Sequence, residues 1–110
     1  MPVAVREKVR AVSRDVGGQA KLARLIGVSP SRVSRWLQDE EPDAENRRKV
    51  EGVEFVLSRL LDTLERETAL KWLDGFNAHL GNRRPVDLLA QGRVAEVIQA
   101  VEAHETGAYA

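Results

Sequence analysis

Apolar residues recur at helical intervals along almost the whole chain. Val5, Val9, Val12 and Val16 follow one another at steps of four, three and four, which puts them on one face of a helix with about 3.6 residues per turn. Gly17 and Gly18 end that helix. A second, shorter helix is predicted from Gln19 to about Ile26, with Leu22, Ala23 and Ile26 inward and Gly27 free to make a left-handed corner. Ser29 then stands where an N-cap is needed and Pro30 at the first helical position of a third helix, whose inward stripe is Val33, Trp36 and Leu37. The run Asp39, Glu40, Glu41, Pro42, Asp43 predicts a loop and the internal boundary of the chain, with Asp43 capping the next helix. From about Ala44 to Arg66, Val50, Val53, Leu57, Leu60, Leu61 and Leu64 keep helical spacing. They predict one long helix that joins two halves or dimerises, with Phe55 and Val56 widening its apolar arc toward a second contact face.

Thr68 to Leu73 predicts a further turn or two of helix, followed by an irregular stretch holding Gly75, Asn77 and Gly81. Pro85 restarts a short helix carrying Val86, Leu88 and Leu89, and Gly92 closes it. A last helix is predicted from about Arg93 to Glu105, with Val94, Val97, Ile98 and Val101 on one side, and Gly107 begins a tail. No alternating stretch is long enough to predict a strand, so the expected class is all-α.

Composition narrows the function classes. With 110 residues, 43% hydrophobic and 31% charged, the chain reads as one globular domain or two very small subdomains sharing a core. The absence of cysteine excludes disulfides and thiolate metal sites. Arg6, Glu7, Lys8 and Arg10 interrupt any apolar run at the N-terminus, and no segment reaches the length of a membrane span, so a cytoplasmic protein is expected. Charge balances overall, but not along the chain. Residues 1–38 hold eight basic against two acidic side chains, a net +6, and residues 39–110 hold nine against fifteen, a net −6. Such asymmetry points to one surface for nucleic acid and another for a different partner.

Candidate catalytic chemistry is sparse. The two histidines, His79 and His104, stand at no metal-ligand spacing, and Gly17-Gly18 lacks the downstream glycine and lysine of a phosphate-cradling loop. The carboxylates are accounted for by solvated helix faces and loop capping. Neither an enzyme, nor a cofactor, nor a metal is expected. The strongest motif is QAKLARLIGVSPSRVSRWLQ, residues 19–38, which has helix-turn-helix spacing. Ala23 is the small residue at the crossing, Gly27 the turn residue, and Leu22, Ile26, Val28, Val33 and Trp36 the apolar clamp. In that arrangement Ser29, Ser31, Arg32, Ser34 and Arg35 start or face outward from the second helix and are candidates for a DNA major groove. An ordinary solvated helical hairpin is the plainer alternative.

Residues 72–107, WLDGFNAHLGNRRPVDLLAQGRVAEVIQAVEAHETG, carry Trp72, Asn77, Leu80, Pro85, Asp87, Leu88, Leu89, Gly92, Val97 and Gly107 in an order that resembles the toxin-binding domain of the Xre/MbcA/ParS antitoxins. Phe76 departs from the proline common in that family just before the asparagine. The resemblance implies an Xre-like helix-turn-helix region over residues 1–43, a connecting or dimerisation helix over 44–66 and a toxin-binding domain over 67–110. It implies a RES-domain toxin that consumes NAD as partner, neutralised when the antitoxin covers its active-site cleft. It also implies a homodimer within a larger toxin–antitoxin complex that binds its own promoter DNA. Toxin contact is expected at Asn77, His79, Arg83, Arg84, Asp87, His104, Tyr109 and Ala110, with Trp72, Leu88 and Val97 holding that surface in shape. Two other readings stay open: a stand-alone Xre-type repressor without a toxin partner, and a protein inhibitor whose helix-turn-helix no longer binds DNA.

Overall fold

The computed structural model describes residues 5–107, and these form an all-α fold. Seven α-helices come in order: α1 Val5–Val16, α2 Gln19–Ile26, α3 Pro30–Trp36, α4 Ala44–Leu61, α5 Arg66–Asp74, α6 Pro85–Ala90 and α7 Val94–Gly107. A 3-10 turn, Ala78–Leu80, sits between α5 and α6. Among the described residues there is no strand, only an isolated antiparallel bridge between Asn77 and Arg83.

The local signals act as their chemistry requires. Ser29 has extended backbone, and its hydroxyl accepts from the Arg32 amide at 3.4 Å, while Pro30 opens α3. Gly27 takes the left-handed conformation at φ 74°, which lets the Val28 amide bond back to the Ala23 carbonyl at 2.9 Å. A side chain on Gly27 would also meet Ala90 of α6 at 3.4 Å, so this corner doubles as a close contact between the two halves of the chain.

All the elements bury into one continuous core. Val9, Val12 and Val16 of α1, Leu22 and Ile26 of α2, and Val33 and Trp36 of α3 belong to the same cluster as Val53, Leu57 and Leu60 of α4, Leu73 of α5, Leu88 and Leu89 of α6, and Val97 and Val101 of α7. Helix α2 packs on both α3 and α6, and α4 packs on both α1 and α7. The stripe of α4 also includes Gly52, where a β-carbon would lie 2.5 Å from Cγ2 of Val94; this glycine lets α4 and α7 approach closely.

Two expectations are corrected. The long helix stops at Leu61 instead of running to Arg66. Asp62 and Thr63 are weak helix formers, and the chain turns there while the Leu64 amide still donates to the Leu60 carbonyl at 2.8 Å. Leu64 therefore packs on the core at helical spacing although the helix has ended. Asp43 stands at the N-cap of α4 but makes no side-chain cap bond, because its carboxylate accepts from the Asn46 amide side chain at 2.6 Å. Val56 is buried, whereas Phe55 stays 46% exposed beneath the Arg59 guanidinium.

Candidate functional site

Helix α3 and its N-cap leave Ser29, Ser31 and Arg35 exposed and Arg32 and Ser34 half-buried. The Ser29 and Ser31 hydroxyls lie 3.1 Å apart at its start. The Arg32 guanidinium lies over the Trp36 ring, 5.9 Å from its centroid, so a buried aromatic supports the charge by a cation–π contact. Both guanidinium groups are met by the loop between α3 and α4. Arg35 Nε donates to Glu40 at 2.9 Å, Arg32 reaches Asp43 at 3.9 Å, and Arg47 faces Glu41 at 4.0 Å. Solvation and capping alone do not describe these acids, which partly neutralise the helix before them. Each of these pairs is exposed, so it contributes only about 0.2–1 kcal/mol and yields to a stronger anion.

The second surface is built on the turn between α5 and α6. Asn77 Oδ1 accepts from the His79 amide at 2.9 Å, the Asn77 amide donates to the Arg83 carbonyl at 3.0 Å, and the Asn82 amide donates back to the Asn77 carbonyl at 2.9 Å. Gly81 and Asn82 complete the reversal at φ 65° and 63°, the second in a residue type that tolerates left-handed backbone. Arg83 is anchored by a 2.7 Å bond to the Leu80 carbonyl and reaches Glu96 of α7 at 3.3 Å. Arg84 grips Asp87 with two bonds of 3.1 and 3.2 Å and lies 3.7 Å from Asp74, which in turn faces Arg24 of α2 at 3.4 Å. This chain of charges ties the helix-turn-helix to the C-terminal surface.

The charge states reflect these contacts. Hydrogen bonding to Asp87, then its charge, raises the Arg84 pKa. A hydrogen bond from Arg93 holds the Glu96 carboxyl below its usual 4.5, against an opposing effect of burial, with Arg93 and Arg83 charges adding to the lowering. Glu96 therefore supports the fold above the ordinary glutamate range, and that support is lost as pH falls through its lowered value.

Five of the residues expected to meet a toxin, Asn77, His79, Arg83, Arg84 and Asp87, are thus gathered around one turn. His104 stands apart from them, on α7 eight residues beyond Glu96 or about 12 Å along the helix, and its ring meets Trp72 edge-on at 6.1 Å. Trp72 is half-buried against the core, while Leu88 and Val97 are fully buried. Tyr109 and Ala110 lie outside the described residues. The exposed ring of Phe76, at 81%, is a surface feature that sequence reasoning missed. It lines a shallow groove with Asn82, Arg83, Arg84, Asp87 and Gln91. Its place between Gly75 and Asn77, outside any periodic stripe, was the available signal.

Among the described residues no group of three or more His, Asp and Glu side chains comes together to hold a metal ion, and no helix is long and apolar enough to cross a membrane. No family model matches the chain. It is similar to known proteins over most of its length. A probable mycobacterial cidal antitoxin of Mycobacterium tuberculosis (strain ATCC 25618 / H37Rv) is 34% identical over 92 residues, 83% of this chain and 78% of that protein. The mycobacterial cidal antitoxin MbcA of Mycobacterium bovis (strain ATCC BAA-935 / AF2122/97) is 27% identical over 86 residues, 77% and 76% of the two chains. In fold, a chain of the crystal structure of the M. tuberculosis MbcT-MbcA toxin-antitoxin complex superposes with a TM-score of 0.78 at 23% identity, over 97% of both chains. The chain belongs to the family of the MbcA-like cidal antitoxins.

Proposed function

We propose that this antitoxin neutralises a RES-domain, NAD-consuming toxin by covering its active-site cleft, and that it represses its own operon by binding promoter DNA as a homodimer. The observation that carries the reading is the 34% identity to a probable cidal antitoxin over 83% of the chain. The fold shared with a chain of the MbcT-MbcA complex supports it. In this reading residues 67–110 meet the toxin through Asn77, His79, Arg83, Arg84, Asp87, His104, Tyr109 and Ala110, and residues 1–43 meet DNA through Ser29, Ser31, Arg32, Ser34 and Arg35. The single core makes these two faces of one body, linked by α4. The net +6 of residues 1–38 suits DNA, while residues 67–110 hold four basic against six acidic side chains, a net of only −2. The protein then works in the bacterial cytoplasm, at the nucleoid when bound to DNA.

Crossed variants separate the two faces. Asp87→Arg replaces the carboxylate that holds Arg84 with a like charge and is expected to weaken toxin binding at least tenfold, about 1.4 kcal/mol, leaving DNA binding intact. Arg35→Ala is expected to cost about 1–3 kcal/mol of operator affinity and to leave neutralisation intact. Titration of both variants against toxin and against operator duplex checks this. Toxin binding lost in Arg35→Ala but kept in Asp87→Arg would reverse the assignment.

A further inference from the structure

We infer that α1 and the start of α2 carry a second, sequence-indifferent DNA surface: Arg6, Arg10, Arg14 and Lys21 form one cationic stripe that takes the phosphate backbone of a duplex beside the site read by α3. This rests on the DNA-reading role proposed for α3, and it assigns to residues outside the helix-turn-helix recognition face the part of binding that ignores sequence.

Eight cations lie in residues 1–38, and half of them are already engaged. Lys8 is held by Glu51 at 3.1 Å, Arg24 by Asp74 at 3.4 Å, Arg32 by Asp43 at 3.9 Å and Arg35 by Glu40 at 2.9 Å. The other four are Arg6, Arg10, Arg14 and Lys21. Among the described residues no carboxylate lies within ion-pair distance of Arg6, Arg10 or Lys21, and Arg14 has only its chain neighbour Asp15, at 4.0 Å. The cations that meet no carboxylate from outside their own helix are thus the row on α1 and Lys21 of α2, where a phosphate binds without first displacing an ion pair, whereas Arg32 and Arg35 of α3 exchange theirs.

These four cations also fall in line. Arg6, Arg10 and Arg14 are all exposed and recur at every fourth residue of α1, so they share a flank and are spaced about 6 Å apart along the axis. Gly17 comes one turn beyond Arg14, and Lys21 fills the space a side chain there would take, its Nζ 3.3 Å from the position of a β-carbon on Gly17. The ammonium of α2 therefore extends the row begun on α1. Lys8, on the opposite flank, reaches back to Glu51 of α4, so the row faces away from that contact, on a helix that also packs on α2 and α3.

The chemistry selects phosphate over a protein partner. Duplex DNA carries one negative charge per about 1.7 Å of axis, and guanidinium groups bind phosphate oxygens bidentately. A protein interface would need a central apolar anchor, and neither Phe55 nor Phe76, the exposed large hydrophobic residues among those described, lies on α1.

The test is fluorescence anisotropy of the full chain with a 20-bp duplex from its own upstream region and an unrelated 20-bp duplex, over a salt series. For Arg6→Gln/Arg10→Gln, the slope of log affinity against log salt is expected to fall by about 2. Both duplexes should weaken by the same factor, so their ratio is unchanged, and the thermal unfolding midpoint should stay that of the wild type. Lys21→Gln, on a different helix, should lower the slope by about 1. An unchanged slope in both variants overturns the stripe while leaving the α3 reading intact if Arg35→Ala still lowers the ratio of the two affinities. A changed ratio in Arg6→Gln/Arg10→Gln overturns the claim that the stripe ignores sequence. Wild-type protein that binds neither duplex at low salt overturns the α3 reading, and the stripe with it.

Discussion

Trp36→Ala is expected to lower the free energy of unfolding by about 3–5 kcal/mol. Trp36 is 1% exposed and the largest fully buried side chain of the described residues, in one cluster with Leu22, Ile26 and Val33. Its loss would leave a cavity between α3 and the rest of the core that α3, only seven residues long, is too short to close by itself. Against a total of about 5–15 kcal/mol for a domain, the variant is expected to be partly unfolded at 37 °C. Arg32 would also lose the ring that supports its guanidinium. Among the described residues the indole Nε1 meets no hydrogen-bond acceptor, so the expectation for Trp36→Phe is different. Removing an unpaired buried donor relieves a desolvation cost of about 1–3 kcal/mol, which offsets much of the lost packing, and this variant should stay close to wild type. Urea denaturation followed by circular dichroism checks the pair; equal, small losses for both would show that Trp36 does not hold α3.

The second large effect is expected at Gly52. In an exposed helix, replacing glycine by alanine gains up to about 1 kcal/mol. Here the added methyl would lie 2.5 Å from Cγ2, 3.1 Å from Cγ1 and 3.3 Å from Cβ of Val94. Valine has one strongly preferred rotamer in a helix, so relief has to come mainly from moving α7 away from α4. Overpacking of this kind costs about 1–3 kcal/mol, and Gly52→Ala should therefore destabilise where propensity alone predicts a gain. Val94→Ala in the same chain should recover most of the loss, a coupling that a double-mutant cycle measures. If Gly52→Ala raises the unfolding midpoint, the close approach of α4 and α7 is wrong.

The helix-turn-helix was legible because its signals are local. Ser29 caps, Pro30 starts α3, Gly27 turns, and the intervals of Leu22, Ile26, Val33 and Trp36 fix the buried face, all within twenty residues. The end of α4 was not legible, because Leu64 keeps the apolar interval through a turn that preserves one helical hydrogen bond. The pairing of Arg32 and Arg35 with Asp43 and Glu40 depends on how the loop folds back, and spacing alone does not encode that. Gly52 was visible as a glycine inside a helical pattern, a conflict that signals close packing, but its neighbour Val94 is 42 residues away and came only with the structure. On the C-terminal surface, Asn77, Pro85 and Asp87 were found through a resemblance; Glu96 and Asp74, which hold Arg83 and Arg84, carry no signal in sequence.

The central claim is neutralisation, and it is tested most directly by inducing the neighbouring gene in a bacterial host with and without this chain while measuring growth and intracellular NAD. The account predicts that NAD collapses and growth stops when the neighbour is induced alone, and that both recover on co-expression. A neighbour that leaves NAD and growth unchanged, or an NAD loss that co-expression does not reverse, would contradict it.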